Sequence, residues 1–536
     1  MSAQKQRRRM TGRGAVPWLW SICAAVVVLG GCSMSSHIEP PAPRNLEAVE
    51  IAIDNGVLRG TSDGTVAGFK NIPYAAPPVG GRRWRQPEPP ASWSGVRDAG
   101  QFGNDCMQNR MSWDKANSAQ PVSEDCLYLN VWVPAPLKPA AGLPVLVWVY
   151  GGAYASGSGT SPMTAGDRLA ARGAIVVSFN YRLGRFGFFA HPALTAENPA
   201  GLLGNYGFMD QVAALQWVHR NIAAFGGDPA NVTIVGESAG GDSVLRLMLN
   251  PFARGLFAKA ICESAGGNML LPRLKGDLPD LPSAEARGET FAAELDTPNA
   301  SVQALRALPA KKVLGGISLI EWEKKTWSGV MIDGRIVIGS VADGFAAARQ
   351  ARVPLIIGTN SNELGAIPWI FRGPMTKALY PRLGGAFDQV AAAYGSQDAL
   401  EDGFLNDFAF VEPARYVAST ASTDQPVYLY RFAYVAESRR KALKGAPHAS
   451  ETAYVFDHLE TTGDKISPAD EQMARRLGDY WLAFARGGVP TIGGAAQWPR
   501  YAPRSDQLLE LTAGGDAATR AGTPWLDAIA RAIHGG

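Results

Sequence analysis

The stretch Asn231–Asn250, N-V-T-I-V-G-E-S-A-G-G-D-S-V-L-R-L-M-L-N, leaves few folds open to this chain. A β-branched run, Val232 to Val235, stops at Gly236, and an apolar-periodic segment begins near Ala239. A strand that passes at once into a helix around G-E-S-A-G puts its serine, Ser238, on a strained tight turn, with the hydroxyl above the sheet edge. A Cβ at 236 or 240 would collide with the neighbouring strand or helix, so glycine stands at both. The helix that follows aims its N-terminus at the serine and favours negative charge there.

G-x-S-x-G alone is a weak signal, because its residues are common. The chain carries its own control: E-S-A-G recurs at Glu263–Gly266, with Cys262 where the first glycine would stand. Ser238 is therefore read as a nucleophile, and Ser264 as a packing or supporting residue near the same site.

The rest of the pattern is consistent with that turn. Leu143–Tyr150 (L-P-V-L-V-W-V-Y) and Ala174–Asn180 (A-I-V-V-S-F-N) lack polar alternation, as strands buried on both faces do. Val353–Gly358 and Val427–Phe432 read the same way, and Ser123–Val133 contains a further strand starting at Cys126. Helical spacing appears at Gly166–Arg172, at Phe208–Phe225 and around G-D-Y-W-L-A-F-A-R-G-G near the end. From Val49 the chain reads as short strands with Gly and Asp-Gly turns. The proline-rich run Asn71–Pro89 is expected to wrap over the core as a loop, and residues 272–330 to form a cover of helices and loops. Strands alternating with helices predict an α/β fold, a mostly parallel sheet with helices on both sides.

The basic residues Lys5, Arg7, Arg8, Arg9 and Arg13 precede residue 32 with no acid among them, while the whole chain of 536 residues carries only +3. The remainder is near neutral, which argues against nucleic-acid binding. Residues 1–31 read as an export signal: a basic start, an apolar run from Ala15 to Gly30, then small residues. That run, broken by Pro17 and Ser21, is short for a membrane span. Leu29-Gly30-Gly31-Cys32 resembles a lipobox, which would make Cys32 a lipidated N-terminus and this anchor the chain's one membrane contact. Such a protein would face the periplasm or cell exterior; ordinary cleavage would instead release a soluble secreted one. Residues 32–46 then form a tether, and 47–536 a single domain. Among five cysteines, Cys106 and Cys126 flank a polar loop and are the natural disulfide pair, and Cys262 is expected as a buried thiol. No Cys or His spacing suggests a metal.

Four separated motifs bring in a resemblance. F-G-G-D-P-A-N-V-T-I-V-G-E-S-A-G (Phe225–Gly240) and E-D-C-L-Y-L-N-V (Glu124–Val131) resemble the signatures of type-B carboxylesterases, the cholinesterase-like branch of the α/β-hydrolases. N-I-P-Y-A-A-P-P-V-G and Y-W-L-A-F-A-R fit the same family. The resemblance implies an α/β-hydrolase fold and a cofactor-free serine esterase acting on small-molecule esters, with catalytic residues in the order Ser, Glu, His.

A serine needs a base to take its proton, and the base needs a carboxylate to hold its tautomer. Of six histidines (37, 191, 219, 448, 458 and 534), His448 lies in G-A-P-H-A-S-E, which resembles the family's G-x-x-H-x-x-E. Glu363, after the strand V-P-L-I-I-G, stands where the family has its acid, although Asn362 and Leu364 depart from the usual flanks. The resemblance gives the oxyanion donors as the N–H groups of Gly152, Ala153 and Ala239. Y-G-G-A replaces a more usual H-G-G-G or H-G-G-A, which leaves backbone donors unchanged. Glu237 beside the nucleophile tunes the field of the site. Trp113 lies in the Cys106–Cys126 loop without the family's choline-binding context, as a lip or packing residue. Trp322, Trp327, Trp369 and Phe371 either line a substrate pocket or form core under the cover. Two other readings stay open: a specialised hydrolase of a bulky ester, carbamate or lactone, and a non-catalytic adhesion-type binding protein.

Overall fold

A computed structural model describes residues 46–111, 118–265, 267–268, 270–318, 325–365 and 369–535. Cys32, Trp113, Trp322 and the side chains of Trp369 and Phe371 fall outside the described residues.

Thirteen strands form one sheet among the described residues. Its strands are β1 (Glu47–Ile53), β2 (Gly56–Ser62), β3 (Val66–Pro73), β4 (Val96–Asp98), β5 (Tyr128–Pro134), β6 (Leu143–Val149) and β7 (Ile175–Phe179). They continue as β8 (Gly227–Glu237), β9 (Lys259–Glu263), β10 (Leu355–Asn360), β11 (Val427–Phe432), β12 (Gln507–Thr512) and β13 (Gly515–Arg520). The spatial order is β1-β2-β3-β5-β7-β6-β8-β9-β10-β11-β12-β13, with β4 paired to β2. From β7 to β12 every neighbouring pair is parallel; the N-terminal path β1-β2-β3-β5-β7 and the final β12-β13 pair are antiparallel.

The parallel block is where apolar runs without alternation were expected. Val145, Val147, Val149, Ile234, Ile261 and Ile356 have no exposed surface. Each such side chain contributes on the order of 1.5–3 kcal/mol by leaving water. Helices cover the sheet as two linked groups. Tyr206–Asn221, Ala239–Leu249, Val341–Ala346 and Glu412–Ala421 pack together in one; Asp167–Ala171, Thr452–Val455 and Pro468–Gly487 belong to the other. The Pro468–Gly487 helix is specified at both ends. Ser467 and Asp470 exchange side-chain-to-backbone hydrogen bonds in a capping box, and Gly488 closes it in the left-handed conformation.

Two expectations need correcting. Residues Asn71–Pro73 do not begin a loop but finish β3, since Pro73 pairs with Tyr128 at a position where its missing N–H is tolerated. The strand expected from Cys126 starts at Tyr128, because Glu124 is held by Arg83 and Cys126 by the disulfide to Cys106. Among the described residues of 272–330 the cover consists of three helices, Ala284–Glu294, Val302–Arg306 and Ala310–Leu314, joined by loops. A second apolar cluster, including Leu383, Val390, Phe404, Phe408 and Ile529, packs the helices of residues 369–411 against the last helix, Pro524–His534. Among the described residues no helix is long and apolar enough to cross a membrane.

Candidate active site

The turn after β8 has the conformation that its sequence demands. Ser238 sits at φ 57°, ψ −122°, a region costly for any residue with a side chain, between β8 and the helix Ala239–Leu249. Gly236 and Gly240 are there for space. A Cβ on Gly240 would lie 2.0 Å from the Val149 carbonyl oxygen, and one on Gly236 2.4 Å from that of Gly240. The Ser238 amide is fastened to the next strand, donating to the carbonyl of Glu263 at 2.9 Å.

Two loops bring the partners. His448 follows β11, in the segment before Thr452–Val455, and its Nε2 lies 2.9 Å from Ser238 Oγ. Its Nδ1 lies 2.7 Å from Oε2 of Glu363, on the turn after β10. Glu363 has no exposed surface, and its other oxygen accepts from the Asn360 amide at 2.7 Å. The backbone ties the loops as well, since the His448 N–H donates to the Glu363 carbonyl and the Glu363 N–H to Asn406 Oδ1. All three residues singled out from the sequence therefore meet in one hydrogen-bonded chain, and Phe410 flanks the imidazole with ring centres 5.1 Å apart.

The loop after β6 completes the arrangement. Gly151 lies against the serine, as a Cβ there would stand 3.0 Å from Ser238 Cβ. Gly152 and Ala153 both have positive φ, 106° and 54°. Among the described residues no acceptor is paired with the N–H of Gly152, Ala153 or Ala239.

A set of buried carboxylates surrounds the imidazole. Burial alone would lower the His448 pKa, but the charges of Glu237 and Glu363 and the Glu363 hydrogen bond outweigh it and raise it to about 9. Glu237 Oε1 lies 3.3 Å from Nε2. Ser264 follows directly on the adjacent strand β9, also at positive φ, but its hydroxyl donates to Glu451 Oε1 at 3.1 Å and not to the imidazole. Glu451 also accepts from the Asn360 side chain, and burial, with the nearby Glu363 charge, pushes its carboxyl up to about 7. Glu263, bonded to Trp481 Nε1 at 2.7 Å, is pushed up by burial and then by Glu451. Glu451, Asn360, Asn406 and Glu263 were given no role from sequence. Glu451 stood in plain view as the last residue of G-A-P-H-A-S-E, but nothing local says that its carboxyl is buried.

The remaining candidates fall elsewhere. Trp327 is core under the cover, its indole N–H donating to the Phe188 carbonyl. His219 is exposed, His191 caps the helix Pro192–Glu197, and His534 pairs with Glu412. Cys106 and Cys126 are disulfide-bonded and Cys262 is a buried free thiol. Among the described residues no group of three or more His, Cys, Asp or Glu could hold a metal ion.

A mainly parallel sheet carrying a nucleophile turn at the end of a central strand defines the α/β-hydrolase class. The carboxylesterase family profile matches residues 47–373 and 393–523. The chain belongs to the carboxylesterase family, and is a carboxylic ester hydrolase. It is 32% identical over 521 residues to a fumonisin B1 esterase of Sphingopyxis macrogoltabida, covering 92% of this chain and 90% of that one. It is 34% identical over 477 residues to the para-nitrobenzyl esterase of Bacillus subtilis (85% and 93%), and 35% over 492 residues to a human cocaine esterase (85% of each). A solved PNB esterase structure superposes with a TM-score of 0.75 at 32% identity, covering 88% of this chain and 97% of that one.

Proposed function

We propose that the protein hydrolyses carboxylic esters through an acyl-enzyme formed on Ser238. His448 takes the hydroxyl proton as Oγ adds to the ester carbonyl, then returns it to the departing alcohol. Glu363 holds the tautomer that leaves Nε2 free and stabilises the imidazolium. The amides of Gly152, Ala153 and Ala239 receive the charge that develops on the carbonyl oxygen. Water, activated by the same imidazole, then releases the acid. The observation that carries this reading is the continuous Ser238–His448–Glu363 chain at 2.9 and 2.7 Å. The test is Ser238→Ala assayed on an aryl ester such as para-nitrophenyl butyrate, with kcat expected to fall by about 10⁵-fold or more. Residual turnover near wild type would end the assignment. An adhesion-type protein on this scaffold would resist fluorophosphonate, whereas labelling at Ser238 is expected here.

The similarity to a fumonisin B1 esterase and to a cocaine esterase favours a second, narrower reading, that the physiological ester is bulky. A panel running from acetate esters to polycyclic and multiply esterified substrates decides it by kcat/KM. We also propose export with Cys32 lipidated. Cys32→Ser should release the protein from the membrane fraction, whereas a wild type already found in the soluble fraction would argue for simple secretion.

A further inference from the structure

The oxyanion loop is held from outside by a residue to which neither the motif nor the catalytic chain draws attention. Gln108, two residues after Cys106, is buried, and its amide makes a two-point clamp on Gly157. Nε2 donates to the Gly157 carbonyl at 2.8 Å and Oε1 accepts from the Gly157 N–H at 3.0 Å. Nε2 also donates to the Cys106 carbonyl at 3.1 Å, so the clamp is referred to the disulfide. Asp105, on the other side of Cys106, holds the next residues, accepting from the hydroxyls of Ser158 and Thr160.

Gly157 is mechanically coupled to the donors. Its φ of 116° and its close approach exclude any side chain, as a Cβ would stand 2.5 Å from the Gly151 carbonyl oxygen and 2.4 Å from the Tyr150 ring. Gly151 rests on Ser238, and the Gly152 carbonyl accepts from both Ala155 and Ser156 N–H, closing residues 152–156 into a tight turn between Gly151 and Gly157. A shift at Gly157 is therefore carried to the amides of Gly152 and Ala153. Donors to an oxyanion stabilise it only if they are placed before charge develops.

We propose that Gln108 is a positioning residue for the oxyanion hole, acting through Gly157 and anchored by the Cys106–Cys126 disulfide. The proposal rests on the assignment of Gly152 and Ala153 as oxyanion donors to Ser238 chemistry. The test uses the full-length chain as wild type, Gln108→Met, Gln108→Glu, Asn109→Ala and Ser238→Ala. Gln108→Met keeps the volume and removes both bonds; Gln108→Glu keeps an acceptor for the Gly157 N–H and loses the donor, and carries the test should the methionine variant not fold. For an aryl acetate, kcat is expected to fall by about tenfold or more with KM within about twofold, a fraction of the loss from deleting a donor outright. Affinity for an aryl trifluoromethyl ketone, whose hemiketal oxygen needs the same amides, should fall in parallel. Asn109→Ala, which among the described residues frees bonds to the Gly315 and Ile317 carbonyls and touches neither Gly157 nor the donors, should keep the wild-type values. Unchanged kcat and ketone affinity in either folded Gln108 variant overturns the proposal, as does lowered thermal stability without a parallel loss of ketone affinity. A wild type indifferent to the ketone, or an active Ser238→Ala, would instead strike the underlying catalytic assignment.

Discussion

Glu237 places its Oε1 3.3 Å from Nε2 of His448, the same nitrogen that meets Ser238 Oγ at 2.9 Å. The carboxylate favours the imidazolium and helps hold the His448 pKa at about 9 against burial. A general base works only when neutral, so kcat/KM should climb with pH and level off above about 9. Glu237→Gln removes the largest of the raising influences, and the midpoint of the climb should move to lower pH. Profiles from pH 6 to 10 check this, and an unmoved midpoint would show that the contact carries no electrostatic weight.

Glu363 Oε2 lies 2.7 Å from Nδ1 of His448, and in the proposed mechanism it holds the imidazole tautomer. Glu363→Gln keeps the shape but can present an N–H to Nδ1, so kcat should fall by about 10³–10⁴ with KM little altered. Steady-state kinetics on one aryl ester are enough; a drop below tenfold would contradict the role.

Gly240 has no room for a methyl group against the Val149 carbonyl oxygen at 2.0 Å, and that oxygen belongs to the adjacent strand's backbone. Gly240→Ala should therefore cost about 3 kcal/mol or more and abolish turnover. Gly514→Ala, where the nearest atom is 3.8 Å away, should stay within about 0.5 kcal/mol in the same denaturant titration.

His458 uses both ring nitrogens, Nε2 at 3.0 Å from Asp167 and Nδ1 at 3.0 Å from Glu460. Burial would lower its pKa, but these two bonds raise it. Its stabilising effect is then fully present below the unfolded value of about 6.5 and disappears as pH rises through the raised folded value. His458→Gln should cost about 1 kcal/mol at pH 6, since both partners are more than a third exposed and screened, and less at high pH. Equal costs at the two ends would refute the linkage.

The disulfide closes a segment with a sequence separation of 20. On loop entropy alone, replacing Cys106 and Cys126 together by serine should lower stability by about 3 kcal/mol. Thermal melts with and without reductant measure it, and wild type under reductant should approach the double variant.

Much of the architecture was readable because local rules suffice for it. Unalternating apolar runs can only be interior strands, and β6, β7, β10 and β11 lie within two residues of where those runs stand. The N-terminal edge was harder. At Asn71–Pro73 proline content argued for a loop, yet the strand continues, because what proline forbids depends on whether a partner awaits its missing donor. The cluster formed by residues 369–411 and the last helix had no local signature, since its faces become apolar surfaces only against one another.

The site divides the same way. Ser238, His448, Glu363, Glu237 and the Gly151-Gly152 turn were each marked in the chain by a motif, because strained turns demand particular residues at fixed spacing, and the Cys106–Cys126 pair was marked by the polar loop it flanks. Asn360, Asn406 and Gln108 were not, and Glu451, though it closes the His448 motif, carried no sign of its partner, for these roles are distances between segments remote in the chain: 91 residues separate Asn360 from Glu451, and 49 separate Gln108 from Gly157. Sequence determined which groups the chemistry could use. Only the folded sheet, by burying carboxylates out of water and bringing separate loops to one edge, decided their charges and which of them touch.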